Sequence, residues 1–358
     1  MDTNLRSLRK QELAQYIIRN KKILEESVII PAHHYQISEV VDVSDFVGDS
    51  LRLAVECSRT DREFILFCGV TFMADCVSIL AHKDQKVLLP NLNAGCPLAD
   101  MINAESAERI YNKIKMSCKR DVIPIVYINS NADMKYFAGK YNGSLCTSSS
   151  AKKVMEYYLN KDKAVFFAPD YNLGINTAHA MGITMKEIVR INKDFTFEHS
   201  GNIQDVSLFI WDGSCYVHKK FDIENVEKLR EKYPLIQIAV HPECDEEVVN
   251  SSDFVGSSQA IYDIIKNAPD TTIWGVGTEY NFVKRLDEEC TQKKVLPLCD
   301  SHCYDMEKIN LLHIAECIQS IMCYLGRNAC LHNQIVVPEK LAKNSKKALE
   351  KMIQISGD

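Results

Sequence analysis

Short apolar runs recur along the chain, each closing on polar residues and followed by a stretch with helical spacing. Three times the chain passes through the same four stations. The first is a buried strand with polar residues at its end: VIIPAHHYQ, then IPIVYINSN, then QIAVHPE. The second is a short strand closing on small hydroxyl residues: DFVGDS, SLCTSSS and DFVGSS. The third is a strand with a Gly or Pro turn: FILFCGVTF, AVFFAPDYNLG and TIWGVGTEY. The fourth ends in cysteine: KVLLPNLNAGC, SLFIWDGSC and KVLPLCDSHC. Amphipathic spacing predicts helices in the gaps, NAESAERIYNKIKMSC and SAKKVMEYYLNK among them. The start, MDTNLRSLRKQELAQYIIRN, reads as a mixed-charge amphipathic helix, and MEKINLLHIAECIQSIMCYL and PEKLAKNSKKALEKMIQI predict two helices at the end.

Strands alternating with helices mean parallel sheets with helices on both faces, so the chain reads as α/β, built from three related units. Spacing supports duplication. His33 to Asp45 and His241 to Asp253 are both twelve positions, and His33 to Ser50 and His241 to Ser258 are both seventeen. Ligands of such sheets bind beyond the carboxyl ends of the strands, where His33, Tyr35, Tyr127, Asn129, His241 and Glu243 fall. If the three units face a common axis, these residues converge. Ser50, Ser148 and Ser258 lie near helix starts, where free amides suit a carboxylate or phosphate. The plainer reading is that these serines cap helices. Three in equivalent places, each paired with a strand-end polar residue, favour binding.

Composition narrows the class. With 358 residues, 46% apolar and 25% charged, the chain is an ordinary globular protein of two or three domains. A net charge of -6 and a pI near 6.0 argue against nucleic acid or an acidic membrane as partner. No apolar run is long enough to span a bilayer, and the first residues do not read as a secretory signal, so a cytoplasmic protein is expected. Fourteen cysteines are then thiols rather than a disulfide framework. Cys57, Cys68, Cys76, Cys317 and Cys323 sit among apolar neighbours and read as core. Cys96, Cys215 and Cys303 differ, standing one per unit in loops with Gly, Ser or His beside them. Three thiolates favour iron–sulfur or zinc, and no Cys-x-x-Cys pair supports a zinc finger. Cys299, four before Cys303, is an alternative ligand or redox partner, and Asn142-Gly143-Ser144 fits a sequon but reads as a turn.

From PAHHYQ through GDSLRLA, AGCPLADM, VYINSNADMK, CTSSSA, FAPDYNLG, WDGSCYVH, HPEC, VGSSQ and GTEYN to SHCYDM, the chain resembles the quinolinate synthase (NadA) family. The resemblance covers nearly the whole chain. It implies three homologous αβα domains with small parallel sheets around a pseudo-threefold axis. On this sequence they are set at 1–105, with C-terminal helices 304–358 packing on it, then 106–205 and 206–303. It implies a [4Fe-4S] cluster held by Cys96, Cys215 and Cys303. It also implies condensation of iminoaspartate with dihydroxyacetone phosphate to quinolinate, in de novo NAD biosynthesis. An L-aspartate oxidase or dehydrogenase would then be the functional partner supplying the imine.

By the same resemblance, His33 and Tyr35 handle the triose-derived portion, and Ser50, Tyr127, Asn129, Ser148, His241, Glu243 and Ser258 complete the substrate site. Ser258 stands where many members have Thr, which keeps the hydroxyl. The segment holding Cys299 and Cys303 departs from the Cys-x2-Cys-x2-Cys version, which puts a redox disulfide there in doubt. Proton shuttling and oxyanion stabilisation suit these residue types, with Tyr35 and Glu243 as acid–base pair and His33 and His241 as donors to substrate oxygens. Two other classes remain: a metal-bearing sensor that binds a dicarboxylate without turnover, and an isomerase or hydratase.

Overall fold

A computed structural model describes residues 4–327 and 330–357. The chain divides into two compact units, Met1–Cys96 with Cys303–Val337, and Pro97–His302 with Pro338–Asp358. The three leading residues of the N-terminal helical pattern lie outside the described residues. That pattern resolves into a short 3-10 turn, Leu5–Ser7, and a helix, Lys10–Ile23.

In the first unit, strands Val28–Ile29, Phe64–Leu66 and Lys86–Leu88 pair in parallel. Pro31–His33 continues the first strand and pairs with Phe46–Gly48, while a bridge from Ala32 to Cys68 ties it to the third. The spatial order of the four stations is therefore second, first, third, fourth. Phe64, Ile65 and Leu66 are fully buried, as strands covered on both faces must be. Helix Lys10–Ile23 packs against Leu311–Arg327, the first of the two predicted C-terminal helices.

The second unit holds two more sheets with that same order. One runs Ser144–Cys146, Val122–Tyr127, Ala164–Ala168, Leu208–Trp211, all parallel. The other runs Phe254–Val255, Gln237–Val240, Ile273–Gly277, Lys294–Pro297, again all parallel. The fold is mixed α/β with small, mainly parallel sheets, as the hydrophobic pattern implied. The predicted helices are found as Ala104–Ser117, where Asn103 Oδ1 accepts from Ser106 N–H at 2.9 Å, and Ala151–Leu159. Asn142 takes a left-handed φ of 55° in a turn, a conformation asparagine tolerates.

Two features were not expected. Strands Ile188–Ile191 and Phe197–Glu198 form an antiparallel hairpin that extends the middle sheet, and Gln334–Ile335 adds an antiparallel edge to the first. The hairpin turn is Asn192-Lys193-Asp194-Phe195, with Phe195 at φ 67° and no Asn-Gly or Asp-Gly to announce it. The C-terminal helices also part company. The sequence expectation set both on the first domain, whereas Glu339–Ser356 packs on Ala132–Lys140 in the second unit. The two helices approach so closely at Gly139 that a Cβ there would sit 1.8 Å from Asn344 O. Only glycine permits that crossing.

Candidate active site

Strand Gln237–Val240 is paired on both sides, so its last residues leave the sheet at a fixed place. His241 N–H still reaches Gly277 O at 3.1 Å, and Cys244 N–H turns back to His241 O at 3.0 Å. Glu243 N–H donates to His241 Nδ1 at 3.3 Å, which leaves the ring proton on Nε2. The first unit repeats this geometry. Tyr35 N–H donates to His33 Nδ1 at 3.2 Å, and the Tyr35 ring stands edge-on to His33 at 4.7 Å. His-x-Tyr and His-Pro-Glu are one local structure that leaves an Nε2–H donor at a strand end.

Around Glu243 the second unit builds a buried polar cluster. Its side chain is almost wholly enclosed. Tyr127, at the end of strand Val122–Tyr127, donates its hydroxyl to Glu243 Oε1. His218 Nδ1 lies 3.0 Å from Oε2, and its Nε2 lies 3.2 Å from Thr278 Oγ1. His218 and His241 stack with centroids 4.3 Å apart. Helix Tyr171–His179 holds the loop from behind: Asn172 Nδ2 donates to Glu243 O at 3.0 Å, and Asn176 Nδ2 to Pro242 O and Cys244 O at 2.9 and 2.8 Å.

The electrostatics follow from these partners. Burial alone would raise the Glu243 carboxyl, but His218, His241 and Tyr127 all favour the anion and hold it down to about 2. Burial, reinforced by His218 and opposed by Glu243, pushes His241 down to about 3, so the ring is neutral near pH 7. A stability consequence is testable. Between pH 6.5 and 4.5 the unfolded chain takes a proton on His241 that the folded chain refuses, so stability is lost as pH falls. The contribution averages roughly 1 kcal/mol per pH unit, smaller near pH 6.5 and larger toward pH 4.5. Urea unfolding of wild type and His241→Gln across that window should show the variant's curve flatter by this amount; equal slopes would count against a buried neutral His241.

The serines are not the caps. Asp49 caps helix Ser50–Arg59 by accepting from Arg52 N–H, and Ser257 caps Ser258–Asn267 by accepting from Ala260 N–H. Ser50 and Ser258 each occupy the first helical position, in equivalent places of their sheets. Ser148 instead lies in the loop before helix Ala151–Leu159, beside Thr147, whose Oγ1 bonds Ser149 and Ser150. Asn129 Oδ1 is buried without a hydrogen-bond partner, an acceptor open to a ligand donor.

Tyr127, His241 and Glu243 are thus brought together in the second unit. His33, Tyr35 and Ser50 lie at strand ends and a helix start in the first. His218 was missed by sequence reasoning, although Cys215-x2-His218 is a ligand-like spacing that signals it. Thr278, Asn172 and Asp170 were missed with it. Asp170 is fully buried, and burial together with the Glu243 charge pushes its carboxyl up against the backbone donors that hold it down.

Comparison with known proteins agrees with this frame. The family described as Quinolinate synthetase A protein matches residues 16–354. The chain is 36% identical to a quinolinate synthase of Geobacillus kaustophilus, covering 99% of this chain and 97% of that one. It is 38% identical to one of Staphylococcus carnosus (97% and 94% covered) and 37% to one of Listeria monocytogenes (99% and 97%). The chain belongs to the quinolinate synthase family.

The [4Fe-4S] cluster that the sequence resemblance implies can be weighed against the thiols. Cys57 and Cys317 are buried, and burial pushes both thiols up to about 12; Cys68, Cys146 and Cys244 are raised as well. Cys96, Cys215 and Cys303 are half-buried in loops after the fourth strand of each sheet. Within the first unit, Asn91 Nδ2 bonds Lys308 O and Lys308 Nζ bonds Asn93 O, both at 2.9 Å. These bonds tie the loop before Cys96 to the segment after Cys303. Cys215 lies with His218 and Glu243 such that one ligand atom of each falls within 4.8 Å of the others. Half-buried loop thiols such as these, rather than the buried ones, have the setting that metal ligation needs. Among the described residues no helix is long and apolar enough to cross a membrane.

Proposed function

We propose that this chain is itself a quinolinate synthase. It would condense iminoaspartate with dihydroxyacetone phosphate and release phosphate and water as the pyridine ring closes. The observation that carries the reading is the enclosed Glu243 carboxylate, held by Tyr127 and His218 with neutral His241 beside it, at the carboxyl ends of parallel strands. Ring formation by dehydration needs a base that takes protons from carbon or nitrogen and donors that receive departing oxygens. Glu243, an anion in the free protein, becomes the base once a bound anionic substrate beside it raises its carboxyl back toward neutrality. Its proton is passed on through Tyr127 or His218, which already touch its two oxygens.

His241 and His33 offer Nε2–H donors to substrate oxygens. Tyr35, beside His33, is the acid for the triose-derived portion. Ser50 and Ser258, on the first turns of their helices, with Ser148 and Asn129, bind the substrate carboxylates and phosphate. Cys96, Cys215 and Cys303 would hold a [4Fe-4S] cluster, whose site-differentiated iron supplies Lewis acidity for loss of water. Iminoaspartate is hydrolytically unstable, so an enzyme that oxidises L-aspartate must work alongside.

A dicarboxylate sensor is the weaker reading, because a buried carboxylate facing an anionic ligand opposes binding unless it carries protons. Anaerobic reconstitution with iron and sulfide, followed by product analysis, tests the proposal. Quinolinate is expected; binding of the substrates without product would favour the sensor.

A further inference from the structure

We infer that Asp170 is a positioning residue that fixes the Cys215 loop for ligation before any metal arrives, an inference that rests on Cys215 being a cluster ligand. Asp170 follows strand Ala164–Ala168 and is fully buried. Its Oδ1 accepts from Leu173 N–H at 2.6 Å and so caps helix Tyr171–His179. A cap needs one oxygen. The other, Oδ2, accepts from the backbone N–H of Cys215 itself at 3.2 Å.

The rest of the loop is tied to the same place. Asp170 bridges Gly213, and Tyr171 N–H donates to Gly213 O at 2.8 Å. A Cβ on Gly213 would sit 2.3 Å from Pro169 O, so this close backbone approach requires glycine. Ser214 N–H points at Met101 Sδ, 3.2 Å away, and Cys215 O accepts from Lys219 N–H at 3.0 Å. Both polar groups of the Cys215 backbone are therefore held inside the protein. A thiol on a backbone so fixed binds metal without first ordering its loop, and outer partners of this kind govern how firmly a ligand set retains its metal.

Two substitutions separate capping from positioning. Asp170→Ser keeps a strong helix cap but is too short to reach Cys215. Asp170→Asn keeps the size but turns an amide NH2 toward a donor. In the metal-free protein, alkylation by iodoacetamide read peptide by peptide should be about tenfold faster at Cys215 in Asp170→Ser, with Cys96 and Cys303 unchanged. After reconstitution, iron should pass to a chelator about 10–100-fold faster than from wild type. Wild-type Cys215 reactivity and iron retention in Asp170→Ser would reduce Asp170 to a helix cap and overturn the inference.

If both variants fail to fold, hydrogen exchange on metal-free wild type decides. A Cys215 amide protected like the strands supports the hold, and exchange at open-loop rates refutes it. Should wild type bind no iron, the ligand assignment falls, while alkylation and exchange still judge Asp170.

Discussion

Glu243→Gln should lower quinolinate formation by about a thousandfold, within the range that general acid–base catalysis supplies, while iron content and folding stay near wild type. The amide has nearly the shape of the carboxylate, so the loop held by Asn172 and Asn176 keeps its place. It cannot take a proton as a carboxylate can, and its NH2 group must face either the Tyr127 hydroxyl or the His218 ring, both now donating to oxygen. His218 can meet that NH2 by carrying its proton on Nε2 toward Thr278, so the cost stays within about 1–3 kcal/mol, which the fold can absorb. The check is turnover against iron per chain in one preparation. Wild-type turnover would remove Glu243 from the chemistry, and loss of iron would move it to the metal.

Cys215→Ala should abolish cluster retention, whereas Cys68→Ala should leave iron and sulfide content unchanged. The contrast lies in where the thiols stand. Cys68 is fully buried beside the first sheet, with its thiol raised by burial; such a group fills space and does not ligate. Cys215 is half-buried in a loop, its backbone fixed by Asp170 and Lys219. Removing one of three thiolates leaves two, too few to retain the cubane. Iron and sulfide per chain, with the brown charge-transfer absorption, give the answer. Full iron in Cys215→Ala, or its loss in Cys68→Ala, would contradict the ligand assignment.

The sheets were legible because strands covered on both faces read as continuous apolar runs, and the threefold recurrence of strand, hydroxyl cluster, turn and cysteine marked where each ends. The order second, first, third, fourth in all three sheets is the structural form of that recurrence. Edges were less legible. Ile188–Ile191 and Phe197–Glu198 carry a turn without glycine, and the amphipathic stripe of Glu339–Ser356 does not say which surface it will cover.

In the site, His241 and Glu243 were marked by their strand. Tyr127 was also named, but as a substrate clamp; its bond to Glu243 joins residues 116 positions apart, and no local pattern encodes that. His218 hid in a turn whose cysteine drew the attention. The serine positions show the limit of spacing: Ser50 and Ser258 fall at helix starts as expected, yet the caps are Asp49 and Ser257, one residue earlier.

The account stands on what the second unit's enclosed carboxylate and the three loop thiols do together, and one assay reads that directly. Anaerobically reconstituted protein is supplied with freshly generated iminoaspartate and carbon-labelled dihydroxyacetone phosphate, and the products are resolved by mass spectrometry. Quinolinate carrying all three labelled carbons, formed in many turnovers per chain, is the predicted result. A protein with its full complement of iron and sulfide that consumes neither substrate, or yields no labelled quinolinate, would contradict it.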